Sequence, residues 1–169
     1  MASFFISRVD SEVDARLDSI GTPGALALRG KAAIAQARLA YQAFRRTFSG
    51  PRWEALAARG AVVQRPLWAS TSTKNAAYPD TMYVDELIGP DTVNTLPEAT
   101  IEAFNDHGAC TRTIDDGVAH AELVWRQLAE VGVDMDDVAE KLEHDGVASF
   151  QKSFDDLLAA LSAKAEELR

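Results

Sequence analysis

Residues 66–75 read Pro66-Leu67-Trp68-Ala69-Ser70-Thr71-Ser72-Thr73-Lys74-Asn75. A short apolar strand ends there in a cluster of hydroxyls, an ammonium and an amide. A strand interior has no use for that cluster, whereas the mouth of a parallel α/β sheet does. Hydroxyl, ammonium and backbone N–H donors converging on a strand tip make a place for an anion such as a phosphate ester. The plain alternative is a polar loop, the ordinary meaning of Ser, Thr and Asn clusters between periodic segments.

Two other segments repeat the design. Ala2-Ser3-Phe4-Phe5-Ile6-Ser7-Arg8 is apolar and ends in Arg, with a strand expected over 2–7. Thr92-Val93-Asn94-Thr95-Leu96-Pro97 is a strand expected over 92–95 that runs into a helix start. Between them the spacing predicts helices. Val9, Val13, Leu17 and Ile20 share one face over 10–20, with Ser11 and Asp14 in capping-box positions and Gly21 as the stop. A long helix after Gly21-Thr22-Pro23-Gly24 reaches about Phe48, its apolar face being Ile34, Ala37, Tyr41, Phe44 and Phe48. Short helices are expected over 51–59 and 82–88, and helix 97–106 has Thr95 as N-cap and Glu98 as its partner. Residues 109–114 read as a fragment of extended chain. Three helices close the sequence, marked by Val118 to Leu128, by Met135 to Leu142, and by Val147, Phe150, Phe154, Leu157, Leu161 and Leu168.

Strands alternating with helices indicate α/β architecture with a parallel sheet, in which functional groups sit at the carboxyl ends of the strands. That rule selects Ser7 and Arg8, Ser70 to Asn75, and Asn94 with Thr95. The remaining features exclude function classes. The 169 residues suffice for one domain with a core, and the net charge is −9 with a pI near 4.8. No Lys/Arg run offers nucleic acid or an anionic membrane a basic face, so neither partner is expected. No apolar run approaches the roughly 20 residues that span a bilayer, and no signal peptide is legible. A cytoplasmic location is expected. Cys110 is the single cysteine and excludes an intrachain disulfide. The three His and the Cys are scattered without metal-ligand spacing. Asp134, Asp136 and Asp137 suit the first turn of a helix better than a calcium loop. Trp53, Trp68 and Trp125 read as core.

Among the candidates, Arg8 is either a guanidinium forked onto phosphate or a sheet-edge cation paired with Asp10 or Asp14. Lys74 at a strand end could be a Schiff-base nucleophile only if desolvated with a depressed pKa. Beyond a row of hydroxyls it reads instead as a phosphate-contacting ammonium.

The run from Arg65 through Ser70-Thr71-Ser72-Thr73-Lys74-Asn75 and Tyr78-Pro79-Asp80-Thr81 to Thr95-Leu96-Pro97-Glu98 resembles the actinobacterial-type transaldolases. It is also similar to the transaldolase half of fusions with glucose-phosphate isomerase. Ala2-Ser3-Phe4-Phe5-Ile6-Ser7-Arg8-Val9-Asp10 resembles the sixth barrel strand of that family. Asp145-Gly146-Val147-Ala148-Ser149-Phe150-Gln151-Lys152-Ser153-Phe154 resembles its C-terminal helix. The resemblance implies a partial TIM (β/α)8 barrel, strands six to eight plus C-terminal helices. Residues 1–114 would be the β/α units and 115–169 helices packing on the same barrel.

The implied activity is transfer of a dihydroxyacetone unit between sugar phosphates in the pentose phosphate pathway, through a Schiff base and with no cofactor. By motif, Arg8 and Ser70 would bind substrate phosphate, Lys74 would be a second phosphate cation after a longer insert than the family shows, and Ser3 would line the pocket. The Schiff-base lysine and the acidic groups of the earlier strands have no counterpart here, so the chain is expected to be a C-terminal portion, inactive alone. A complete barrel takes about 250 residues. With open sheet edges, and with Phe5, Leu67 and Trp68 turned to a missing interior, self-association or a complementing N-terminal part is expected. The alternatives are a non-catalytic sugar-phosphate or protein-binding module and an unrelated helical interaction domain.

Overall fold

The computed structural model describes residues 1–168. Three strands, β1 (Ala2–Phe5), β2 (Pro66–Ala69) and β3 (Val93–Asn94), form one parallel sheet in the order β1-β2-β3. Parallel neighbours need crossovers. The first is built from α1 (Ser7–Ile20), α2 (Pro23–Leu26), α3 (Ala32–Thr47) and α4 (Gly50–Ala57). The second contains α5 (Met82–Asp85), and α6 (Glu98–His107) and α7 (Val118–Glu130) follow β3. Two compact units result, Met1–Val133 and a second beginning at Asp134 that holds α8 (Met135–Glu167). The architecture is a mostly helical α/β fold around a small parallel sheet.

The register sets Phe4 beside Trp68 and Trp68 beside Asn94, and Ser3 beside Leu67 and Leu67 beside Val93. Successive strand side chains alternate between faces, so Leu67 and Trp68 cannot both face a barrel interior. Trp68 corrects that expectation: it is fully buried against Phe4, ring centroids 5.7 Å apart, on a strand that packs against α3. Ser3, Phe5, Leu67 and Val93 share the opposite face, where Ser3 and Phe5 are exposed and Leu67 and Val93 half-buried. The rest of the core forms where alanines let helices approach. Ala33, Ala37 and Tyr41 of α3 are buried, as are Ala121, Val124 and Leu128 of α7, which packs along α3. Trp53 and Trp125 are only half-buried, so core placement holds for Trp68 alone of the three.

Helix α1 starts at Ser7 because β1 ends at Phe5, and Val9, Val13 and Leu17 bury its apolar face as the spacing predicts. Ser11 is therefore inside the helix, where its hydroxyl donates to Ser7 O, and the expected Ser11–Asp14 capping box does not form. Gly21, at φ 69°, ends the helix. The single long helix expected from Gly24 to Phe48 is two helices. Gly30 separates them at φ 69°, a left-handed conformation that glycine adopts without steric cost, and a Cβ there would lie 2.8 Å from the Tyr78 ring.

Thr95 is not the cap of α6. Its N–H donates to Trp68 O, so the chain is still following the sheet, and Pro97 takes the N-cap position. Residues 109–114 form no strand. In the second unit the two expected helices are one, α8, because Gly146 costs only about 1 kcal/mol inside a helix and no proline interrupts it. Asp134 caps α8 as expected, accepting from the N–H groups of Asp136 and Asp137. Val147, Phe150, Phe154, Leu157 and Leu161 are all exposed along it.

Candidate functional site

The β1–β2 ladder continues past both strands. Ile6 N donates to Ala69 O at 2.9 Å and Ser7 N to Ser70 O at 3.0 Å. The chain then turns into α1 on one side and into the hydroxyl-rich loop on the other. Ser7 and Ser70 are thus brought side by side at the strand tips, their hydroxyls 2.9 Å apart. Ser70 holds φ 57°, a left-handed conformation uncommon for a side-chain-bearing residue. Such a conformation costs on the order of 1 kcal/mol and persists where neighbouring bonds fix it.

Arg8 follows in the first turn of α1. It is exposed, and its guanidinium lies 4.4 Å from the centroid of the Phe5 ring, a cation–π contact. Ile6 caps this helix end without a side-chain hydrogen bond. Ser7 N–H donates to Ser70 O and Val9 N–H to Ile6 O, so what this end offers an anion is chiefly the positive end of the helix dipole. Among the described residues no carboxylate pairs with Arg8. The two candidates for that role are taken. Asp10 accepts from Ala33 N at 2.8 Å and from the Tyr83 hydroxyl at 2.6 Å. Asp14 accepts from Gly30 N at 2.9 Å and from the Tyr78 hydroxyl at 2.6 Å. A cation at an uncapped helix N-terminus is unfavourable by itself and becomes favourable with an anion.

Asp10 is buried, and desolvation pushes its carboxyl up to about 6 despite the opposing Tyr83 and Ala33 hydrogen bonds. Desolvation also raises the Tyr83 and Tyr78 hydroxyls, and the adjoining carboxylates add to it. Both tyrosines therefore remain donors. These two Asp–Tyr clasps were missed from the sequence. One signal was available: Asp10 sits at apolar spacing with Val13 and Leu17, where a carboxylate survives only if hydrogen-bonded.

The other candidates fall in different places. Ser3 is exposed on the open sheet face, one alternation from Phe5. Lys74 is exposed, its ammonium donating to the Ser72 hydroxyl at 2.6 Å. It lines a cavity with Asp10, Asp14, Asp18 and Tyr78, so it faces the acidic side of α1. Thr71 is fully buried, its hydroxyl 2.8 Å from both Asn94 Oδ1 and Thr95 O. Asn94 and Thr95 therefore brace the loop from the β3 side. The geometry joins Ser7, Arg8 and Ser70 at one tip and sets Lys74 in the wall of the acidic cavity. No group of three His, Cys, Asp or Glu among the described residues is arranged to hold a metal ion. No helix among them is long and apolar enough to cross a membrane.

Comparison with known proteins gives this arrangement a lineage. The transaldolase/fructose-6-phosphate aldolase family matches residues 1–161. A transaldolase of Frankia alni is 60% identical over 163 residues, 96% of this chain and 44% of that protein. A transaldolase of a Parafrankia species is 62% identical over 159 residues, 94% of this chain and 43% of its own. One from Mycolicibacterium smegmatis is 52% identical over 167 residues, 98% and 45% respectively. The chain thus spans less than half the length of these curated relatives.

Proposed function

This chain belongs to the transaldolase/fructose-6-phosphate aldolase family, and from that premise we propose that it is the C-terminal, substrate-phosphate side of a transaldolase. The relatives' shared name supports the reaction class: transfer of a dihydroxyacetone unit between sugar phosphates. On this reading β1, β2 and β3 are the sixth, seventh and eighth strands of a TIM barrel, and the face carrying Ser3, Phe5, Leu67 and Val93 is the barrel interior. Schiff-base formation and proton transfer belong to earlier strands, outside these residues.

The observation that carries the reading is Arg8, a cation with no carboxylate partner among the described residues. It stands in the first turn of a helix without a side-chain cap and directly after Ser7, whose hydroxyl meets that of Ser70. A phosphate there takes a forked pair of hydrogen bonds from the guanidinium, one from Ser70 Oγ, and the field of the helix end. Lys74 supplies further positive charge from the adjoining loop, and Ser3 meets the sugar from the open sheet face. Phosphate binding is remote from the reacting carbonyl, so its energy serves to place that carbonyl.

Calorimetry with fructose 6-phosphate tests the reading. Binding is expected for the chain and lost in Arg8→Ala. Borohydride added with the sugar phosphate is expected to leave the chain unlabelled. Covalent capture on Lys74 would transfer that lysine from phosphate contact to nucleophile.

A further inference from the structure

We infer that Ser7 is a positioning residue for the anion site, acting through the Ser70 hydroxyl; the inference rests on the phosphate reading above. Ser7 is 1% exposed, so its hydroxyl has no water to turn to. Among the described residues that hydroxyl has one partner, Ser70 Oγ at 2.9 Å. The backbones are joined as well, by Ser7 N to Ser70 O. Arg8 is the next residue, so Ser7 ties the cation and the hydroxyl of the site to one point.

The proton count fixes the direction of the bond. A hydroxyl has one proton to donate. For Ser70 to give its proton to a phosphate oxygen, Ser7 must give its own to a Ser70 lone pair. The bound state is then a chain running Ser7 O–H, Ser70 O–H, phosphate oxygen. Each bond in such a chain polarises the next, so Ser7 makes Ser70 a stronger donor as well as an aligned one. The bond also anchors the side chain of Ser70, whose backbone stands at φ 57°. Without Ser7 Oγ the Ser70 hydroxyl is free to rotate and to spend its proton on water.

The test is titration of the 169-residue chain with inorganic phosphate, read from amide shifts in two-dimensional NMR spectra, which also report the fold of each variant. Ser70→Ala is expected to weaken phosphate about tenfold, the worth of one hydrogen bond to a charged group. Ser7→Ala is expected to weaken it about threefold to fivefold while Ser70 is present, since only alignment and polarisation are lost. In the Ser70→Ala background it is expected to do nothing further. Ser7→Thr, which keeps the oxygen, is expected to restore affinity, and it carries the test if Ser7→Ala loses the folded spectrum. Unchanged affinity in Ser7→Ala beside weakened affinity in Ser70→Ala would overturn the inference and leave the phosphate reading standing. An equal loss in both backgrounds would also overturn it, because Ser7 would then act without Ser70. Absence of any phosphate-dependent shift at Arg8 or Ser70 in the unaltered chain would overturn the phosphate reading, and this inference with it.

Discussion

Helix α1 carries two polar regions of opposite design. Along its first turns Asp10 and Asp14 are saturated, each holding one backbone N–H and one tyrosine hydroxyl. At its very start Arg8 has a ring beneath it and, among the described residues, no carboxylate partner. The saturated region ties the start of α3, the loop carrying Tyr78, and Tyr83 of α5 to α1. On the proposed function the unsaturated one is where an anion completes the site. A fold that spends its hydrogen bonds fully in one place and withholds them nearby would then separate stability from binding along a single helix.

Substitutions that exchange those roles would break the comparison. The largest effect is expected for Asp10→Ala, which leaves Ala33 N–H and the Tyr83 hydroxyl buried without an acceptor. A loss of about 3 kcal/mol in urea unfolding is expected, with an Arg8 variant near zero. Equal losses at the two positions would erase the distinction.

The pH dependence is the next in size. The Asp10 carboxyl titrates at about 6 in the folded chain against 3.8 for the free side chain. Its folded value is raised, so between those limits the folded state holds the extra proton. The contribution of Asp10 to stability is therefore largest below about pH 4, falls as pH rises to about 6 and is level above, by about 2–3 kcal/mol in total. Asp10→Asn is expected to flatten that slope. A slope unchanged in Asp10→Asn would assign it to another group.

Tyr78→Phe removes one donor from Asp14 and should cost about 1 kcal/mol, since that carboxylate keeps Gly30 N–H. The smallest stability change is expected for Arg8→Ala, within about 0.5 kcal/mol, the usual range for a surface position. Its phosphate affinity should nevertheless be lost. That pairing of negligible unfolding change with lost binding is the sharpest form of the contrast.

The tip could be read from the sequence because its signal is local. Apolar residues switching to Ser70 and to Ser7-Arg8 mark strand ends whatever the rest of the chain does. The clasps could not, because Asp10 and Tyr83 are 73 positions apart and Asp14 and Tyr78 are 64 apart. Periodicity carries no information about such partners. Local rules also failed where backbone continuity overrode them. Ser11 and Thr95 have cap chemistry, yet one lies a turn inside α1 and the other still pairs with β2. Trp68 shows the converse case. Strand period alone separates it from Leu67, so the two cannot share one face of the sheet. Gly146 has the residue type of a helix stop, but no left-handed turn is required there and α8 runs through it.

Helix α8 alters how foldedness can be assayed. At 1.5 Å per residue its 33 residues run about 50 Å, and Phe150, Phe154 and Leu161 stand exposed along one stripe of it. Hydrophobic dyes that brighten on exposed apolar surface are a standard sign of a molten state. This chain offers them such a surface while its tertiary core is intact. Dye fluorescence should therefore be high in the native state and fall on unfolding, and near-ultraviolet dichroism from Trp68 is the signal that tracks the core.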